Sequence, residues 1–170
     1  ILSKNNTMRI IKENCVGLII DIQEKLFPFI YQHEELTMNT KILIEGLKSL
    51  EIPIVVTEQY SKGLGPTIEP VRISLGNYQH LEKMAFSCCD DPGFMNEINK
   101  LGKRSVIIAG IESHVCVLQT TIDLLQKGYQ PVVIEDCVSS RTLQNKNIAI
   151  ERMRKEAERN NEYPVRDTHF

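Results

Sequence analysis

Residues 105–128, SVIIAGIESHVCVLQTTIDLLQKG, decide the fold. Val106-Ile107-Ile108-Ala109 is an apolar run without period-2 alternation, the pattern of a strand covered on both faces of a parallel sheet. Gly110 closes the run. From Val115 onward the apolar residues Val115, Leu118, Ile122 and Leu125 fall at helical spacing, and Gly128 stands where a helix takes its C′ glycine. The turn between strand and helix is short, so Ser113 is expected as the N-cap and Cys116 as the third helical residue. N–H groups in that first turn have no backbone partner and carry the positive end of the helix dipole. A thiol placed there is expected to have a lowered pKa, and the same N–H groups can face a developing oxyanion. The alternative is that Cys116 is a small buried residue, because free cysteine is among the most buried residue types.

Outward from this stretch the same alternation repeats. Cys15 to Ile20 is a second continuous apolar run, with Asp21 at its C-terminal end. Ile54-Val55-Val56 leads into Thr57-Glu58-Gln59-Tyr60, His80 to Lys83 is a short strand ending on a charge, and Pro131 to Ile134 is followed by Glu135-Asp136. Helical spacing of apolar residues marks 37–50, 94–101 and 147–158, while 61–70 (SKGLGPTIEP) is expected as a Gly/Pro-rich loop. Strands alternating with helices predict an α/β fold, a parallel sheet with helices on both faces and right-handed crossovers.

At 170 residues the chain fits one domain, 1–170, with 1–14 and 157–170 expected to be loose or atypical. Its 42% hydrophobic and 25% charged content excludes disordered and fibrous classes. A net charge of −2 gives no basic footprint, so no nucleic-acid partner is expected. No apolar run approaches the ~20 residues that span a bilayer, so no membrane partner is expected either. The first residues lack the apolar core of a secretory signal. Five cysteines (Cys15, Cys88, Cys89, Cys116, Cys137) make an odd count without a CxxC pair. That pattern points to reduced thiols and an intracellular, cytoplasmic location, with an organelle left open.

In open α/β sheets ligands bind outside the carboxyl ends of the strands. Asp21, Lys83 and Cys116 each follow a different strand and open onto that edge. A carboxylate beside a thiol is a proton acceptor, and an ammonium beside both stabilises the thiolate. The plainer reading of Asp21 and Lys83 is a structural ion pair at the sheet edge.

Asp21 in LIIDIQEKL, Lys83 in EKMAF and Cys116 in GIESHVCVLQT resemble the Asp-Lys-Cys signature of the isochorismatase-like cysteine hydrolase superfamily, to which the nicotinamidases are related. The resemblance runs over residues 16–155, and VVTEQYSKGLGPT, CVSSR and AIERM resemble the isochorismatase-domain-containing group. It implies a three-layer α/β/α, Rossmann-like fold with a six-stranded parallel sheet, where the chain's own pattern supplies five strands. It also implies a small carboxamide or related acyl substrate, cleaved through a thioester on Cys116. Asp21 would be the general base and then acid, with Lys83 stabilising the thiolate. By the same resemblance the Ile111–Glu112 peptide is cis, the N–H groups of Glu112 and Cys116 form the oxyanion hole, and Gln23 orients its loop. Gln23, Phe27, Tyr60 and Phe86 are candidate pocket residues, although aromatic residues at such places are more often core. Ser139-Ser140-Arg141 is a candidate site for a substrate acid or a shaped turn.

The departures carry weight too. Metal-dependent nicotinamidases have an Asp-x-His pair where this chain has Gln59-Tyr60-Ser61, so no metal and no cofactor is expected. Isochorismatases proper act on a vinyl ether without a cysteine nucleophile, so Cys116 argues against that literal activity. The family's closing strand and helix have no clear counterpart in residues 156–170, EAERNNEYPVRDTHF. An uncovered edge strand favours pairing with another chain, so a homo-oligomer, dimer or higher, is expected. A catalytically idle relative that binds a metabolite or protein through the same pocket is the alternative function. A dinucleotide oxidoreductase is disfavoured because no GxGxxG follows the first strand.

Overall fold

The computed structural model describes residues 9–160 and 165–166. Every residue of strand β1 (Cys15–Ile20) is buried, and the sheet is built around it. The other strands are β2 (Ile54–Gln59), β3 (His80–Lys83), β4 (Ser105–Ile111), β5 (Gln130–Ser139) and β6 (Val165–Arg166). All pair in parallel in the order β3-β2-β1-β4-β5-β6. The connecting helices are α1 (His33–Ser49), α2 (Ser61–Leu64), α3 (Glu69–Leu75), α4 (Pro92–Leu101), α5 (Leu118–Gln126) and α6 (Leu143–Arg159).

Successive strand residues point to opposite faces, and the two cores follow that period. Val16, Leu18 and Ile20 pack with Phe94 and Ile98 of α4, Leu124 of α5, and Ile150 and Met153 of α6. Cys15 and Ile19 pack with Leu43, Ile44 and Leu47 of α1 and Val71 and Leu75 of α3. The result is the expected three-layer α/β/α arrangement. α5 ends as anticipated at Gly128 (φ 81°), where Gly128 N donates to Leu125 O and Tyr129 N to Leu124 O, a Schellman ending.

Several boundaries differ from the sequence reading, each for a physical reason. Gly110 does not close β4 but lies within it, and the chain enters the next helix through a π-helical turn, Ser113–Val117, before α5 starts at Leu118. Glu112 rather than Ser113 is therefore the cap residue, with extended backbone. Glu135-Asp136 are inside β5, where the register against β4 shifts between Ile108 and Gly110. The segment 61–70 is not all loop: α2 forms there and α3 begins at Glu69, with Pro70 at a first-turn position where its missing N–H costs no hydrogen bond. α1 starts at His33 and α6 at Leu143, where Thr142 Oγ1 accepts from Asn145 N. α6 continues to Arg159, so 157–159 are helical rather than loose, and β6 supplies the sixth strand with only two residues. Lys12–Asn14 form a single 3-10 turn; the rest of the expected N-terminal arm (1–8) and the family's final helix fall outside the described residues.

Gly110 is required by close approach. Its φ is 149°, and a Cβ there would lie 2.4 Å from the carbonyl oxygen of Ile20 on the neighbouring β1. Gly46, on the exposed side of α1, has nothing within 4 Å of where a Cβ would stand. Gly110→Ala is expected to destabilise by about 2–4 kcal/mol, and Gly46→Ala to stabilise by about 0.5–1 kcal/mol, in urea unfolding. Equal midpoints for the two variants would contradict this packing of β1 on β4.

Candidate active site

The strand order reverses direction between β1 and β4, the place in open α/β sheets where ligands bind at the carboxyl ends of the strands. Asp21 follows β1 in a left-handed conformation (φ 51°) that aspartate tolerates better than most residues. Its side chain is fully buried, and Lys83 at the end of β3 is 1% exposed. Lys83 Nζ donates to Asp21 Oδ2 at 2.6 Å, and Thr57 Oγ1 donates to Asp21 Oδ1 at 2.8 Å. β2 lies between the two charged residues in the sheet, so its own residues complete the cluster. Ile20 is in register with Thr57, and Gln59 with Lys83.

Cys116 is the fourth residue of the π-helical turn and is 6% exposed. Its Sγ donates to Gln59 Oε1 at 3.3 Å, and the Asp21 carboxylate is a second hydrogen-bonding neighbour. Lys83 Nζ also reaches Gln59 Oε1 (3.2 Å), Ala85 O (3.0 Å) and Phe86 O (3.2 Å). The Ile111–Glu112 peptide bond is cis. The three residues singled out in the sequence thus meet at one rim of the sheet.

The other expected residues are placed less uniformly. Gln23 is fully buried. Its amide clamps the main chain of Gln59, accepting from Gln59 N at 2.8 Å and donating to Gln59 O at 3.0 Å, and also donates to Gly65 O at 2.7 Å. Phe27 is half-buried, packs against Ile30, Leu36 and Ile111 and tilts over the His33 ring. Tyr60 and Phe86 are exposed. Tyr60 lines a cavity of about 590 Å³ with Lys62, Glu82, Met84, Ala85, Asp90 and Asp91. Ser140 is buried with its hydroxyl 2.9 Å from His114 Nδ1, whereas Arg141 pairs with Glu112 at 3.2 Å and lies over Phe29. Thr57 and Gln59 were missed. Their only signal in the sequence is their place beyond a strand already expected to end beside the site.

Cys88 and Cys89 are buried core thiols, Cys88 within 3.8 Å of Thr57 Oγ1. Among the described residues no group of three His, Cys, Asp or Glu side chains converges as a metal site, and no helix is long and apolar enough to cross a membrane.

The electrostatics correct one expectation. Burial pushes the Cys116 thiol well above its ordinary value, the Asp21 carboxylate pushes it further, and the Lys83 ammonium offsets only part of this. The dipole of a first helical turn does not decide its ionisation; desolvation does. Burial by itself would lower Lys83, but the Asp21 carboxylate, aided by Cys88 and Cys116, more than reverses that, and Lys83 stays above its ordinary value. The resting site is a thiol beside a buried ammonium–carboxylate pair.

Sequence and structure comparisons find relatives of the chain. The model of the isochorismatase domain matches residues 15–161. Isochorismatase family protein 1A of Dictyostelium discoideum is 38% identical over 141 residues, which is 80% of this chain and 68% of that protein. The structure of the MAR1 ribonuclease of Caenorhabditis elegans superposes with a TM-score of 0.81 at 38% identity, over 87% of this chain and 76% of that one. YcaC of Escherichia coli, described as an octameric hydrolase of unknown specificity, superposes with a TM-score of 0.82 at 20% identity, over 87% and 74%, a likeness of fold.

The buried thiols also set the sign of the pH dependence of stability. Burial raises all five cysteines, Cys88 and Cys89 to about 12, against an ordinary value of 9.0. Above that ordinary value the unfolded chain releases thiol protons that the native state keeps, so stability falls as pH rises. Lys83 acts in the same direction: its contribution is complete below the ordinary lysine value of 10.5 and is lost as pH climbs through its higher native value. Thermal unfolding is expected to hold level to about pH 8.5 and to drop steeply beyond it. A melting temperature that rises over the alkaline range would contradict these environments.

Proposed function

The chain belongs to the isochorismatase family, and from that premise we propose that it is a metal-independent cysteine hydrolase cleaving a small carboxamide or related acyl compound. What carries the reading is the meeting, in a buried rim, of Lys83 Nζ with Asp21 Oδ2 at 2.6 Å, of Lys83 with the Cys116 thiol through Gln59 Oε1, and of Asp21 with that thiol directly. Asp21 removes the Cys116 proton as substrate arrives, and the sulfur attacks the carbonyl carbon. The N–H groups of Glu112 and Cys116 receive the oxyanion. Collapse of the tetrahedral intermediate breaks the C–N bond, and Asp21 returns the proton to the departing amine. Water, deprotonated by Asp21, then attacks the thioester and releases the acid and the thiol. Lys83 keeps the charge of the pocket balanced through both halves.

A raised thiol suits this order of events, because a base that acts only when substrate is present needs no standing thiolate. The worm relative's name describes a ribonuclease, but a phosphate backbone asks for a cationic groove. The cavity beside this site carries Glu82, Asp90 and Asp91 against a single Lys62, which favours the acyl reading. Five free thiols fit a reducing, intracellular setting. Exposed Tyr60, Met84 and Phe86 beside the site fit an assembly larger than a monomer.

Intact-mass spectrometry of the protein mixed with a panel of small aliphatic and aromatic carboxamides is expected to reveal an acyl adduct on Cys116 and release of the acid. Cys116→Ala should abolish both. Asp21→Asn should slow hydrolysis by about 10²- to 10⁴-fold while leaving the thiol easier to ionise, since a negative neighbour is gone. Tight binding of a carboxamide with no adduct, or turnover surviving in Cys116→Ala, would favour the binding-module alternative or a different nucleophile.

A further inference from the structure

Gln59 holds a position that neither the family signature nor the three reacting groups account for. Its main chain is fixed at both ends of the residue by the Gln23 amide, so its side chain is presented to the site from a rigid point. Its Oε1 lies 3.2 Å from Lys83 Nζ and 3.3 Å from Cys116 Sγ. The orientation of the amide follows from chemistry: an ammonium has donors and no lone pair, so the atom facing Lys83 is the oxygen. The same oxygen accepts from the sulfhydryl.

Lys83 Nζ has three protons and four acceptors: Asp21 Oδ2, Ala85 O, Phe86 O and Gln59 Oε1. Two of these are main-chain carbonyls, and the contact with Asp21 is the shortest. Gln59 Oε1 belongs to a side chain with rotatable bonds and sits at one of the two longest distances, so it is the acceptor the ammonium most readily gives up.

We propose that Gln59 is a positioning residue for Cys116, its Oε1 holding the sulfhydryl proton and one arm of the Lys83 ammonium in the resting enzyme and releasing both when substrate enters. This rests on Cys116 being the nucleophile proposed above. Release turns the S–H bond toward Asp21, which takes the proton, and frees an N–H of Lys83 for the sulfur that becomes thiolate. A hydrogen bond made to the neutral thiol disfavours ionisation, and an acceptor that occupies the ammonium withholds stabilisation from the thiolate. Both effects of Gln59 therefore act in one direction. The other groups acting on the sulfur are Asp21 beyond β1, Lys83 on β3 and Cys88 in the 3-10 turn before α4; on its own side of the sheet the titratable Glu112 and His114 are engaged elsewhere, with Arg141 and Ser140.

The test is the rate of iodoacetamide addition to Cys116 between about pH 7 and 8.5, where the fold is stable, located by peptide mass spectrometry, in the parent, Gln59→Met and Gln59→Glu. Gln59→Met removes the acceptor but leaves the Gln23 clamp on the main chain. Its rate should rise about three- to tenfold, because the thiolate fraction grows while a lower pKa also lowers intrinsic nucleophilicity. Gln59→Glu adds a negative charge at the same point, and its rate should fall. Cys88, buried beside the site, is the internal control and should remain unmodified. If Gln59→Met does not fold, the fall in Gln59→Glu decides alone. Unchanged rates, changes in the same direction, or parallel labelling of Cys88 would overturn the assignment of Gln59. Asp21→Asn keeps the two ideas apart. If it changes the Cys116 rate while the Gln59 variants do not, only the role of Gln59 fails. If it too leaves Cys116 unchanged, the catalytic reading fails with it.

Discussion

The contact between Lys83 Nζ and Asp21 Oδ2 is the constraint on which the rest of the site depends. Neither side chain has more than 1% exposure. Charges taken out of water are tolerated only when paired and hydrogen-bonded, and removing one partner of such a pair typically costs about 3–5 kcal/mol. Here the pair is surrounded accordingly: Thr57 donates to the carboxylate, while Ala85, Phe86 and Gln59 accept from the ammonium. The pair itself comes from the ends of β1 and β3, and its partners from β2 and the segment after β3. The ion pair therefore ties together the chain segments that make the pocket, as well as supplying its charge.

The path from sheet to site runs through β2. Glu58 on that strand is buried and accepts from both Thr67 N and Thr67 Oγ1 at 2.8 Å, with His80 Nε2 3.4 Å away. Gln23 bridges to Thr67 and holds Gln59 and Gly65. The segment between β2 and α3, rich in glycine and proline, is thus stitched to the sheet by buried side chains on both sides. The site inherits its rigidity from these contacts, and Cys116 is delivered against them from the opposite side by β4 and its π-helical turn.

Asp21, Lys83 and Cys116 were legible because each stands at or shortly beyond the carboxyl end of a strand, where ligands bind in open α/β sheets, and because their pattern resembles a known signature. Gln59 and Thr57 were not, since their roles arise from parallel register across β2, which pairs Gln59 with Lys83 and Thr57 with Ile20. No local pattern carries that pairing. The thiol's ionisation was misjudged for a related reason: a position near a helix start is visible in sequence, whereas the desolvation that outweighs it depends on what covers the sulfur. α3 escaped notice because Pro70 looks like a breaker until its first-turn position is known. Tyr60 and Phe86 stayed ambiguous between core and pocket until the course of their loops placed both at the surface.

The central claim is that the interior of the site holds a charged pair rather than two neutral groups. Its most direct test is a pH titration of the Lys83 ammonium by nitrogen-edited NMR on lysine-labelled protein, assigned by a Lys83→Arg variant. A protected ammonium signal is expected that outlasts the exposed lysines and titrates above the ordinary value of 10.5. A Lys83 resonance that loses its proton below that value, or that exchanges with water as fast as a surface lysine, would contradict the account.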